Sequence, residues 1–148
     1  MGRVEGKVAI VTGGRKGLGL ASAVLLAKQG AKVVITDRKA DGAEDALGAI
    51  KKGGGEAIFI QQDVSKEEDW QRMMEEAVGR FGKLDVLVNN AGVGAGKNIE
   101  DITLEDWRWV MSVNLDGVFL GTKYAIKEMK KNGGGSIINM SSIEGMVG

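Results

Sequence analysis

The chain has 148 residues, with 20 Lys+Arg balanced by 20 Asp+Glu, and no His, Cys or Pro. That length suits one domain with a real core, and formal neutrality gives no reason to expect nucleic acid or an acidic membrane as partner. Without Cys or His there is no disulfide, thiol nucleophile, Ser-His-Asp triad or histidine-ligated metal, so acid–base chemistry falls to Asp, Glu, Lys, Tyr or Ser.

In chain order, residues 7–12 (KVAIVT) form a short β-branched run that predicts a buried strand. Residues 18–29 place Leu18, Ala21, Leu25 and Leu26 near helical spacing, with Gly30 as the stop. A second strand is expected over 32–36, a helix over 43–51 ended by Gly53-Gly54-Gly55, and a third strand over 57–61. Ser65, with Glu68 three residues on, predicts a capping box for a helix through Val78. A fourth strand follows over 84–88. Thr103 and Asp106 predict the next helix start, and the helical pattern runs to Lys131 with a break near Asn114. A fifth strand is expected over 136–140. KKGGGEAIFI and KKNGGGSIIN are alike, yet each is only a helix end, a glycine turn and a strand. Strands alternating with helices predict an α/β, doubly wound (Rossmann) parallel sheet in the order 3-2-1-4-5, within one domain over residues 1–148. The first apolar run, VAIV, is four residues long and suits a strand, so no cleavable signal is expected, and no apolar run approaches the roughly 18 residues of a membrane span; the expected compartment is cytoplasmic.

The strongest local signal is VAIVTGGRKGLGLA at residues 8–21, between the first strand and first helix. Gly13 suits a tight turn, Gly17 lets the backbone approach a diphosphate, and Gly19 permits close helix–strand contact. The spacing is Gly-x3-Gly-x-Gly, neither the common dinucleotide fingerprint nor a P-loop. A plain glycine-rich turn is the alternative. Gly13, Arg15, Lys16, Gly17, Leu18 and Gly19 are the candidate contacts in this loop. Asp37 closes the second strand, where a carboxylate accepts hydrogen bonds from a ribose and repels a 2′-phosphate. It favours NAD over NADP, while Lys16 and Arg38 are cations that could reach a 2′-phosphate and keep NADP possible.

TGGRKGLG, NNAG at 89–92, Asn114 within VNLDG and SIINMSS at 136–142 resemble the short-chain dehydrogenase/reductase family, in register along the whole chain. SIINMSSIEG and WRWVMSVNLDGVFLGT are most similar to its R-specific secondary-alcohol dehydrogenases and ketone reductases. The resemblance implies an NAD(P)-dependent oxidoreductase acting on a small alcohol or ketone, as a homo-oligomer (tetramer or dimer) when full-length. It implies that Asp63 accepts from the adenine amino group, with Val64 behind the ring. It also implies that Asn90, Ala91 and Gly92 flank the ribose and nicotinamide. Asp63 as a turn residue is the competing reading. Asn114 would join the catalytic set through its unwound backbone, or cap one of two helices. Ser142 would orient the substrate carbonyl, with Ser141 as its rival, and Val93 and Glu144 could line the pocket. Asn89 is expected to tie strands together. The family's Tyr-x-x-x-Lys follows the serine and is absent from these 148 residues, since the one tyrosine, Tyr124, precedes it. Tyr124 is expected to pack a helix. The chain is therefore expected to be the N-terminal portion of a longer enzyme, poorly active or inactive alone, or else a non-catalytic dinucleotide-binding or assembly fragment.

Overall fold

The structure is a computed structural model and describes residues 2–146. Five strands, β1 (Val8–Thr12), β2 (Lys32–Asp37), β3 (Glu56–Gln61), β4 (Val86–Asn89) and β5 (Ser136–Asn139), alternate with five α-helices. The helices are α1 (Gly17–Lys28), α2 (Ala43–Lys52), α3 (Glu67–Phe81), α4 (Leu104–Met111) and α5 (Gly117–Lys131). The strands pair in parallel in the order β3-β2-β1-β4-β5, as the alternating pattern predicts.

Strand periodicity sorts the core onto two faces. Ile10, Val34 and Ile60 face α3 and α5 and pack with Trp70, Met73, Leu120 and Met129. Ala9, Val11, Val33 and Ile35 face α1 and α2 and pack with Ala23, Ala27, Ala46 and Ile50. Burying each large side chain of this kind stabilises the fold by roughly 1.5–3 kcal/mol. Below the sheet, Asp85 joins β1 to the β4 entry, accepting from Val8 N–H at 2.9 Å and pairing with Lys83 at 3.0 Å. Burial pushes its carboxyl pKa up, but Val8 N–H and Lys83 outweigh that and hold it below its ordinary value.

Several local expectations are corrected. Residues 65 and 68 make no capping box: α3 starts at Glu67, and no side chain caps it. Ser65 Oγ instead donates to Asp63 Oδ1 at 2.6 Å, so the hydroxyl is already engaged in a turn. The helix also runs past Val78 to Phe81. In α1 the predicted apolar stripe is wrong: Leu18 and Leu25 are 72% and 60% exposed, and the buried face is Gly19, Ala23 and Ala27. Small residues one turn apart let that helix lie close against the sheet. β4 begins two residues later than 84 and includes Asn89.

The Thr103 box is present, with Thr103 Oγ1 accepting from Asp106 N–H at 3.1 Å and Asp106 Oδ2 accepting from Thr103 N–H at 3.0 Å. The break at Asn114 is a π-turn over Ser112–Asp116, where Gly117 N–H donates to the Ser112 carbonyl. Backbone winding continues through it from α4 to α5, so Asn114 caps neither helix. Among the described residues, no helix is long and apolar enough to cross a membrane.

Candidate functional site

The strand order reverses between β1 and β4, because β1 continues to β2 on one side and β4 to β5 on the other. At the carboxyl ends of these strands the loops part and leave a crevice, the place where open α/β sheets bind ligands. A cleft of about 290 Å³ occupies it. Gly13, Arg15, Lys16, Asp37, Asp63, Val64, Ala91 and Gly92 line it, together with Arg38, Lys39, Val93 and Val113.

The β1–α1 turn forms one end. Gly13 and Gly17 have φ of +61° and +57°, a conformation that L side chains rarely adopt. The space a Cβ would take at Gly17 is open, whereas at Gly19 it would strike the Gly13 carbonyl and the Asn90 amide. So Gly17 keeps an approach clear while Gly19 seats the helix on the turn. Gly14 N–H donates to Thr36 O at 2.9 Å, tying the turn to β2. No side chain caps the start of α1, and its first turn carries no acidic residue, whereas α2, α3 and α4 each have acids there. Its first amides, with the helix dipole behind them, are left for an external anion.

Asp37 stands at the end of β2. Its Oδ1 accepts from Lys39 N–H at 3.2 Å, and its Oδ2 lies 3.5 Å from Arg15 Nε. Asp63 forms the next wall, with Oδ1 accepting from Ser65 N–H and Oγ at 3.0 and 2.6 Å. Its amide donates to Asp69 Oδ2 at 2.7 Å. Burial pushes Asp69 up, but this amide bond and Arg72 prevail and keep its carboxyl below the ordinary range. Val64 is buried, and its carbonyl accepts from Trp70 Nε1 at 2.8 Å.

On the β4 side, Asn90 does not line the cleft but builds its floor. Its Nδ2 donates to the carbonyls of Thr12 and Gly13 at 2.9 and 3.2 Å. Thr12 Oγ1 accepts from the amides of Asn90 and Ala91, both at 3.0 Å. Thr12 opens the TGGRKGLG motif and closes β1, although the candidate contacts in that loop begin at Gly13. Asn89 Nδ2 donates to Asn139 Oδ1 at 2.9 Å, a tie between β4 and β5 as expected.

Asn114 clamps Val93 from both sides, its Oδ1 accepting from Val93 N–H at 2.9 Å and its Nδ2 donating to Val93 O at 2.8 Å. The side chain thus fixes the loop after β4 from within the π-turn. Leu18 is 72% exposed, and Gly17, Gly19 and Asn114 are not among the residues that line the cleft. Ser142 is exposed in the loop after β5, where its carbonyl accepts from Gly145 N–H at 3.1 Å. The Glu144 side chain lies outside the described part. Tyr124 does not line the cleft: its hydroxyl donates to Glu67 Oε1 at 2.9 Å and accepts from Gln71 Nε2 at 2.8 Å, between α3 and α5.

The arrangement can take a long ligand with an anionic centre at the α1 amides, a hydroxyl-bearing ring at Asp37 and a flat group against Val64. That is the shape of a dinucleotide. Comparison with known proteins agrees with it. The chain is 53% identical over 148 residues to the NADP-dependent (R)-specific alcohol dehydrogenase of Lentilactobacillus kefiri, covering 99% of this chain and 58% of that protein. It is 40% identical over 148 residues to the cyclopentanol dehydrogenase of Comamonas testosteroni, covering 100% of this chain and 59% of the other. The solved structure of levodione reductase superposes with a TM-score of 0.94 at 36% identity, covering 99% of this chain and 58% of that one. The chain thus spans somewhat under three-fifths of these curated relatives. The family model for short chain dehydrogenases matches residues 7–148, which include the glycine turn, the crevice and the Asn114 π-turn. By that match and these identities, the chain belongs to the short-chain dehydrogenase family.

Proposed function

We propose that these residues are the nucleotide-binding part of an NAD(P)-dependent oxidoreductase that interconverts a secondary alcohol and a ketone, with NAD favoured. One observation carries the reading: an uncapped, acid-free helix start and a carboxylate-tipped strand bound the same crevice. The α1 amides hold the diphosphate and Asp37 accepts from the adenosine ribose. Asp63 has one carboxylate oxygen engaged by Ser65 and offers the other to the adenine amino group. Val64 backs the ring, and Ala91 and Gly92 leave room for the second ribose. When bound, the nicotinamide supplies or accepts the hydride.

Asn114 positions the loop at Val93, and Ser142 donates a hydrogen bond to the substrate carbonyl oxygen as negative charge builds there. Replacing Ser142 by Ala in the full-length protein lowers kcat by about 10²-fold or more, the usual effect of losing one such donor, and leaves cofactor affinity unchanged. An unaltered kcat would remove Ser142 from the site. Saturating NADH raises the melting temperature, and an unchanged melting temperature with both NADH and NADPH would remove the dinucleotide reading itself. The enzyme is expected in the cytoplasm as a homo-oligomer.

A second reading is favoured by the position of Tyr124. Its hydroxyl is committed to Glu67 and Gln71, and Lys123 and Lys127 lie over its ring. It is therefore no proton donor to the crevice, and the 148 residues alone are proposed to hold a dinucleotide with little or no turnover.

A further inference from the structure

The sequence holds six asparagines, and Asn132 is the only one that a glycine follows. It is an exposed residue at the end of α5, beside the point where the chain enters β4. Its Nδ2 donates to the Leu84 carbonyl at 3.1 Å and so ties the end of the helix to that entry. The amides of Asn132 and Gly134 both donate to the Met129 carbonyl, at 3.0 and 2.9 Å. Between them, the Gly133 N–H is 3.4 Å from the Lys130 carbonyl, long for a bond of this type. Gly133 also has a φ of +83°, and no atom lies within 4 Å of the place a Cβ would take. Its nitrogen is therefore the most weakly held of these three donors and has no side chain to shield it.

An asparagine before a glycine sets an electrophile next to a nucleophile. The Gly133 nitrogen, giving up its proton to solvent, attacks Asn132 Cγ. A C–N bond forms, the Cγ–Nδ2 bond breaks, and Nδ2 leaves as ammonia, so that a five-membered imide remains. Water then adds to one of the two imide carbonyls and one C–N bond breaks. The product is aspartate, or isoaspartate with the main chain routed through the side-chain carbon. No oxidation or reduction occurs, and the chain gains one negative charge. Ring closure needs the Gly133 nitrogen close to the plane of Cβ and Cγ. The folded ψ of Asn132, 7°, instead nearly eclipses it with the Asn132 nitrogen, so the last turn must open first. Helix ends open readily, and the three glycines that follow offer little resistance to rotation. The bond to Leu84 opposes opening only weakly, because it is neutral and competes with water.

We propose that Asn132 is a site of spontaneous deamidation, and that its product frees the end of α5 from the entry of β4. The amide that donates to the Leu84 carbonyl becomes a carboxylate, which only accepts and has no proton to offer that oxygen. The inference does not depend on what the crevice binds.

The test holds the full-length protein and the free peptide KKNGGGSI side by side in neutral and in mildly alkaline buffer, with peptide mapping by mass spectrometry over time. The small mass gain of an NH2 replaced by OH is expected at Asn132 before it is seen at any of the other five asparagines. It is expected to be slower than in the peptide, because the turn must open, and faster in the alkaline buffer, because the nitrogen must lose its proton. Asn132→Gln is expected to abolish it at that position. Asn132→Asp, which carries the product's charge, is expected to melt about 2–4 °C below wild type, the scale of one lost hydrogen bond in a chain of full length. An Asn132 still intact when the peptide has fully converted would overturn the proposal, as would an earlier gain at another asparagine. An Asn132→Asp protein as stable as wild type would overturn the claim that the product releases the helix end.

Discussion

At the scale of single residues, two glycines in one turn do opposite things. Gly17 combines a positive φ with open space, and Gly19 sits against the Gly13 carbonyl and the Asn90 amide. Gly17→Ala is expected to fold with a loss of about 1 kcal/mol from backbone strain, and to bind dinucleotide less tightly because its methyl enters the approach. Gly19→Ala is expected to lower stability by about 1–3 kcal/mol, since the turn or the helix must move to admit a methyl group. Chemical denaturation and NADH titration on the two variants separate the effects. A Gly19→Ala protein as stable as wild type would show that the turn yields freely.

Much of this was legible in the sequence, because turn glycines and strand-end acids are read from local spacing. The Arg15–Asp37 contact was not, since it depends on the path of a long side chain between two distant loops. Ser65 misled for a related reason. Its spacing to Glu68 suits a cap, but a hydroxyl makes the nearest good bond, and Asp63 two residues back supplies it.

Among the elements, α4 shows what a satisfied local signal contributes. Asp106 has its carboxyl pKa pulled from the ordinary 3.8 to about 2, first by the Lys97 ammonium at 2.6 Å and then by the Thr103 amide and hydroxyl. A carboxyl depressed in the folded state adds stability above its unfolded value, and that stability is lost as pH falls through the folded value. The difference in melting temperature between wild type and Asp106→Asn should therefore be present near neutrality and vanish as pH drops from about 4 toward 2. Salt should shrink it, because Lys97 and Asp106 are partly in water. A difference independent of pH would mean that the ion pair is inert. Thr103 and Asp106 were readable because both partners lie within one turn. The interruption at Asn114 was also visible, as a polar residue in a long helical pattern. That it takes the form of a wider turn was not, since no side-chain periodicity distinguishes the two. The burial of α1 escaped for a different reason: pattern reading assigns large apolar side chains to the core, whereas this helix buries its small ones.

For the molecule as a whole, the sheet's two faces are filled but its β5 side is bare. Ile138 and Met140 are 43% and 45% exposed and face an apolar groove shared with Leu25 and Leu26. An exposed parallel edge with apolar flanks favours association. The 148-residue polypeptide is expected to self-associate with rising concentration in sedimentation experiments, and Ile138→Lys to reduce that association without lowering helix content. A wild-type chain that stays monomeric at every concentration would refute this. Strand order was legible from the alternation of elements, because few topologies satisfy it. Which side chains share the groove beside β5 was not, since that depends on neighbours distant in the chain.

The latch formed by Thr12 and Asn90 has one further effect. It fastens the tip of β1 to the tip of β4 with four hydrogen bonds, so the two walls of the crevice cannot spread independently. An incoming nucleotide meets a gauge of set width rather than a jaw that must close. The disorder lost in assembling those walls was given up when the chain folded, and little of it is charged against the encounter.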